Sequence, residues 1–214
     1  MTETTKTNYG KLTAGLVAAW FVIALGVSAL HLLQGAPGQP PIAILIAVLS
    51  PLIVFSIWYR ASKQFRQWVL SLNPRTLTLI HAERIGGLVF LAMYTYNILP
   101  GMFALPAGWG DIAIGATAYL AATRLIPNQR RTFIAWQLLG VLDLVVALSM
   151  AALSSMLHPH GITTAPMTEL PLSLIPSFGV PLFLILHIIC IAQARRWPVA
   201  ERRHVLHAAG SVGA

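Results

Sequence analysis

Glu83, Arg84, Asp111, Asp143 and His187 stand inside or against long apolar runs, where an ionised group is costly. Such a residue ordinarily faces protein or water, pairs with another charge, and marks a proton, ion or ligand path. The densest stretch is ERIGGLVFLAMYTYNILPGMFALPAGWGDIAIGATAYLAATR, Glu83 to Arg124. In it two apolar runs meet at a turn rich in Gly, Pro and Trp. On a helical period of about 3.6 residues, Glu83, Gly87, Phe90, Tyr94 and Asn97 share one stripe. Gly108, Asp111, Gly115, Ala118 and Ala122 share a second, and Trp136, Gly140, Asp143, Ala147 and Met150 a third. Pro176, Val180, Phe183, His187 and Cys190 form a fourth. Each stripe joins an ionisable residue to small residues or a kink, so that helices can approach and hydrogen-bond across the contact. The four stripes are expected to face one another.

Counted from the basic ends at about 1.5 Å per residue, Arg84 and His187 lie roughly 10–12 Å deep and Asp143 about 16 Å. An Arg84–Asp143 ion pair, with Glu83 and His187 beside it, is geometrically feasible. Two roles stay open for this group. It is a centre that binds protons or a small solute, or it is a buried ion pair that fixes helix packing. Asp111 is expected at the opposite end, opening a helix after FALPAGWG. There it caps free backbone donors, or it joins Asn97, Tyr94 and His31 in an outer polar entrance. Trp109 is expected to anchor that interface.

The other histidines point to little. His158 and His160 supply only two ligands, short of a metal site. His81 and His187 fall at similar depth, which suggests a bis-His haem. On a regular helix, however, His81 projects about 160° from the Glu83 stripe. His204 and His207 belong to the basic tail. There is no Gly-rich phosphate loop, zincin pattern or nucleophile elbow. No catalytic residue, metal or cofactor is therefore assigned, and an enzyme is not the favoured class.

The elements that must position these residues follow from composition. The 214 residues are 57% hydrophobic and 9% charged, with a mean hydropathy of +0.73. Soluble domains carry about 25% charged residues. The 14 Lys and Arg against 6 acids punctuate apolar runs rather than forming a nucleic-acid patch. Cys190 is the only cysteine, so no internal disulfide exists. After the polar start MTETTKTNYGK comes an apolar run longer than the roughly 7–15 residues of a signal-peptide core, expected to be a retained span.

Segments of about 20 apolar residues can cross a bilayer. Six qualify: Leu12–Leu33, Ile42–Tyr59, Thr76–Ile98, Pro106–Leu125, Thr132–Met156 and Leu172–Ala194. The predicted fold is all-α, a polytopic bundle of six transmembrane helices over 12–194, with a polar N-terminus (1–11) and a basic tail (195–214). Lys6 and Lys11, then Arg60, Lys63, Arg66 and Arg75, then Arg124, Arg130 and Arg131, then Arg195, Arg196, Arg202 and Arg203 alternate with connections that lack Lys and Arg. Basic loops stay cytoplasmic, which puts both termini inside. Residues 62–73 read as an amphipathic interfacial helix, with Phe65, Trp68, Val69 and Leu72 on its apolar face; a docking site for a partner is the alternative. Pro51, Pro176 and Pro181 are expected to kink their helices. No internal repeat supports an inverted-repeat transporter.

At FALPAGWGD, with Arg84-Ile85-Gly86 before it and Asp143 after it, the chain resembles bacterial multi-pass inner-membrane proteins to which no activity is attached. The resemblance implies a bacterial inner membrane and no particular reaction. The best reading is a small transporter or permease-like protein; the alternative is a non-catalytic membrane subunit or assembly protein. The lipid bilayer is the expected partner, a homo-oligomer or a membrane partner protein is compatible, and nucleic acid is not expected.

Overall fold

Hydrocarbon offers the backbone no hydrogen bonds, so an apolar chain must close them within its own helices. This chain does so. A computed structural model describes residues 8–36, 38–158 and 160–197, and these contain no strand. Lys6, Arg202, Arg203, His204 and His207 lie outside the described residues. The helices are α1 (Tyr9–Ala29), α2 (Ile42–Ala61), α3 (Lys63–Ser71), α4 (Pro74–Ile80), α5 (Leu88–Thr95), α6 (Gly101–Leu120), α7 (Arg130–Leu157) and α8 (Val180–Ala194). A 3₁₀ segment, His81–Gly87, joins α4 to α5, and π turns at Ala121–Leu125 and Ile175–Gly179 follow α6 and precede α8.

Five helical stretches are long and apolar enough to cross a membrane: Tyr9–Ala29, Ile42–Ala61, Pro74–Thr95, Arg130–Leu157 and Ile175–Ala194. Helix α6 has 20 residues but is not among them. Its glycines, Pro106, Trp109 and Asp111 dilute its apolar character. It begins at Gly101 after Pro100, so Pro106 and the GWGD run lie inside the helix rather than in a turn. Asp111 is consequently mid-helix, and the expected N-cap is corrected. In a membrane, Gly and Pro are tolerated within helices, and here the glycines serve packing.

The basic ends of the helices gather at one end of the bundle. Tyr9 donates to Gln64 and packs with Trp58, Phe65 and Trp68. The Trp58 and Phe65 rings stack at 3.7 Å. Phe65 and Val69 are buried against the protein, and Gln193 Nε2 donates to the Leu72 carbonyl at 2.8 Å. The apolar face of α3 is thus spent on its own bundle. At the opposite end, α1 and α5 close in Schellman turns: His31 and Asn97 take φ near +55° (56° and 55°), and the next residues, Leu32 and Ile98, donate back to Val27 and Met93.

Beyond Tyr9, peripheral α1 is held at a second point. Pro181 has no N–H for the Ser177 carbonyl one turn back, and that carbonyl accepts the Trp20 indole N–H at 3.3 Å. Trp20 and Phe21 also pack on Phe178. The tightest contact in the bundle is between α6 and the 3₁₀ segment. A Cβ on Gly115 would lie 2.5 Å from the Ile85 backbone nitrogen and 3.0 Å from the Arg84 carbonyl carbon. Backbone cannot step aside as a side chain can. Gly115→Ala is expected to cost about 1–3 kcal/mol or more, whereas Gly86→Ala, which meets nothing within 4 Å, should be neutral; thermal unfolding in detergent compares them.

Candidate functional site

The site grows from one side chain. Arg84 is 3% exposed, and a guanidinium so placed needs acceptors on every edge. Its Nε donates to Asp111 Oδ1 at 2.7 Å, and its Nη2 donates to Asp143 Oδ2. Its Nη1 donates to the Gly140 carbonyl at 3.4 Å and lies 3.3 Å from His187 Nε2. The Phe183 ring lies 5.9 Å from the guanidinium carbon. One cation thereby bridges the 3₁₀ segment, α6, α7 and α8.

Glycine makes room for it. A side chain on Gly140 would run into the His187 ring and come within 3.3 Å of Arg84, and one on Gly110 would run into the Asp143 carboxylate. His187 continues the network to Gln137 Oε1 through Nδ1. Because Arg84 can only donate, His187 Nε2 accepts and its Nδ1 carries the proton. His81 stacks on His187 with ring centres 3.9 Å apart and an interplanar angle of 19°. Both His81 nitrogens and Gln137 Nε2 are buried without a partner.

Of the residues expected to meet, Arg84, Asp143 and His187 do so. Glu83 does not. It is exposed and makes no side-chain hydrogen bond or ion pair among the described residues. The cause is the 3₁₀ segment, whose period of about 3 residues aligns His81, Arg84, Gly87 and Phe90 on one buried face. The expected stripe of Glu83, Gly87, Phe90, Tyr94 and Asn97 assumed an unbroken α-helix. The outer entrance is likewise not assembled from the expected residues. Asp111 joins Arg84 in the centre, Tyr94 packs over Gly101, Asn97 ends α5, and His31 ends α1 beside Gln34.

The contact of His81 with His187, turned away on a regular helix, was not expected, and Gln137 and the central place of Asp111 were missed. A three-residue spacing through His81, Arg84 and Gly87 was the available signal for the first. The stacked imidazoles touch face to face, which leaves no gap between them for a porphyrin held from both sides. Among the described residues no group of three or more His, Cys, Asp or Glu is placed to hold a metal.

Arg84 carries one positive charge and faces two carboxylates. Among the described residues Asp111 Oδ2 and Asp143 Oδ1 accept no hydrogen bond, and the two side chains keep 18% and 14% of their exposure. Asp111 lines a cavity of about 90 Å³ whose walls are otherwise apolar except for Thr164 and Thr168. A sequence profile of a domain of unknown function, DUF8737, matches residues 40–195. The chain belongs to the DUF8737 family. The DUF8737 region begins just before α2 and ends just after α8, so it contains every member of the Arg84 cluster, while α1 lies outside it. No curated protein and no solved structure matches the chain.

Removing Arg84 would leave two carboxylates facing each other in a buried site. Arg84→Met is expected to lose about 3–5 kcal/mol of stability. Adding Asp111→Asn and Asp143→Asn to it should recover part of that loss, as read by thermal unfolding in detergent. Equal stability of the single and triple variants would refute the coupling.

Proposed function

We propose that this protein is a small permease-like transporter whose Arg84–Asp111–Asp143 centre exchanges a proton or a small solute. One observation carries the reading. Two carboxylates share one guanidinium, so the second is balanced either by a proton or by a cation arriving through the cavity. An arrangement built only for packing would pair charges one to one, because an unpaired buried charge is costly. In this reading α6 is also a span, the fourth of six in chain order, with the centre at mid-depth. The positive-inside pattern puts the basic end, and both termini, in the cytoplasm. The resemblance at FALPAGWGD supports a bacterial inner membrane.

A second reading, a non-catalytic subunit, draws on the other half of the network. His81, Gln137, His187 and Cys190 are fully buried, which is how packing glue looks. The two readings part on flux. In liposomes containing a pH-sensitive dye, the protein should carry protons, and Asp143→Asn should cut the rate at least tenfold while the variant still purifies folded. Flux equal in wild type, Asp143→Asn and protein-free liposomes would sink the proton form of the transport reading.

The thiol of Cys190 reports on the dry half. A thiol reacts as the thiolate and needs water around it, and Cys190 is 0% exposed. In sealed vesicles of either orientation a water-soluble maleimide should label it only after denaturation. Rapid labelling of the native protein would mean that water reaches the His187 face, and the division into dry and open halves would be wrong.

A further inference from the structure

The cavity at Asp111 does not end in the bundle. Its lining includes Pro41, Thr164 and Thr168, and the same three residues line a second, polar cavity of about 360 Å³ at the end of the bundle away from the basic loops. That outer chamber is formed by residues 33–36 and 38–41, Ser155 and the 163–169 segment, and among the described residues Glu169 is the only charged one in its wall. Gln34 Nε2 lies 3.5 Å from Glu169 Oε1 across it. A polar vestibule with one acid therefore adjoins an apolar chamber with one acid. Phe90, Phe103, Leu144, Leu148, Met167 and Val180 give the inner chamber its apolar wall.

We propose that these two chambers form a binding site for a single-chain amphiphilic cation, an alkylammonium whose head reaches Asp111 in the inner chamber and whose chain extends past Thr164 and Thr168 into the outer one. Binding pockets of this type use a mostly apolar lining for affinity and a few polar groups for orientation. The charge follows from the balance at the centre. Asp111 already holds Arg84 with Oδ1 and offers Oδ2 free, and a second carboxylate stands on the same guanidinium. An anionic head would meet two carboxylates with Arg84 already engaged, and a neutral head would leave the excess charge where it is. Glu169 at the vestibule favours the same sign on the way in. The assignment rests on the role of Asp111 as the open carboxylate of the proposed transport centre, and it names the substrate class of that centre.

The test uses the full chain in phosphatidylcholine nanodiscs, with empty nanodiscs subtracted. The probes are decyltrimethylammonium, 1-decanol and decanoate, which share a chain and differ in head charge. Saturable binding is read by calorimetry. Decyltrimethylammonium should bind at least tenfold more tightly than either companion. Asp111→Asn should remove that preference. A second variant, Ala151→Phe, fills the inner chamber about two helical turns from Asp143, and it should abolish binding while the protein stays folded. Equal binding of all three probes would overturn the proposal in favour of a chamber filled by any acyl chain. Unchanged binding in Ala151→Phe would overturn its location. Absence of cation binding while Asp143-dependent proton flux persists would overturn the amphiphile assignment and leave the proton reading standing. Absence of both would overturn both.

Discussion

A guanidinium buried in an apolar bundle must be satisfied on every edge, and the architecture around Arg84 is shaped by that demand. Two carboxylates, a backbone carbonyl and an imidazole come from three different helices to meet it. Each can reach only if the helices approach closely, and close approach requires side chains to be missing along the way. Gly115 lets α6 lie on the backbone of the 3₁₀ segment, while Gly110 and Gly140 clear the space that Asp143 and His187 occupy. The small residues and the charges are therefore one device. The glycines set how near the helices lie, and the ion pairs make that nearness favourable.

The same side chain divides the interior into two unlike halves. On one side, Arg84 donates to His187, and the network runs on through Gln137 and the stacked His81 into dry packing. Here no charge is in excess, and His81, Gln137 and His187 are all fully buried. On the other side stand Asp111 and Asp143, each with an oxygen left over and some exposure retained. A rigid, dry half holds the guanidinium in one orientation while the other half keeps two carboxylates partly exposed. Preorganisation of this kind comes from supporting groups whose own geometry is locked by packing.

Helix α1 bears on how much of the chain this cluster needs. It lies outside the DUF8737 region and supplies no member of the cluster. Its indole at Trp20 caps the Ser177 carbonyl at the π turn before α8, where Pro181 withholds an N–H. Irregular backbone at membrane depth is tolerated only where another group supplies the missing hydrogen bond. The contribution of α1 is local support for α8, the helix that carries His187.

Much of the fold was legible because composition and loop charge are written residue by residue. Runs such as Ile42–Tyr59 and Thr132–Met156 announce helices by length and hydropathy alone, and both appear within a few residues of those limits. The site was legible only where a regular helix carries it. Gly108, Gly115 and Ala118 on α6, and Val180, His187 and Cys190 on α8, are buried as the 3.6-residue period requires. Glu83 failed because Gly86 and Gly87, poor helix formers, follow it in a segment that tightens to the 3₁₀ period. A change of period by less than one residue per turn turned Glu83 outward and brought His81 in. Asp111 failed for a related reason. Pro, Gly and Trp before it carry the chemistry of a turn in water, yet in a bundle of this apolarity Gly108 and Gly110 are spaces for Leu91 and Asp143. Local sequence reports what a backbone can do; which option is taken at these positions was decided by the neighbour that had to fit.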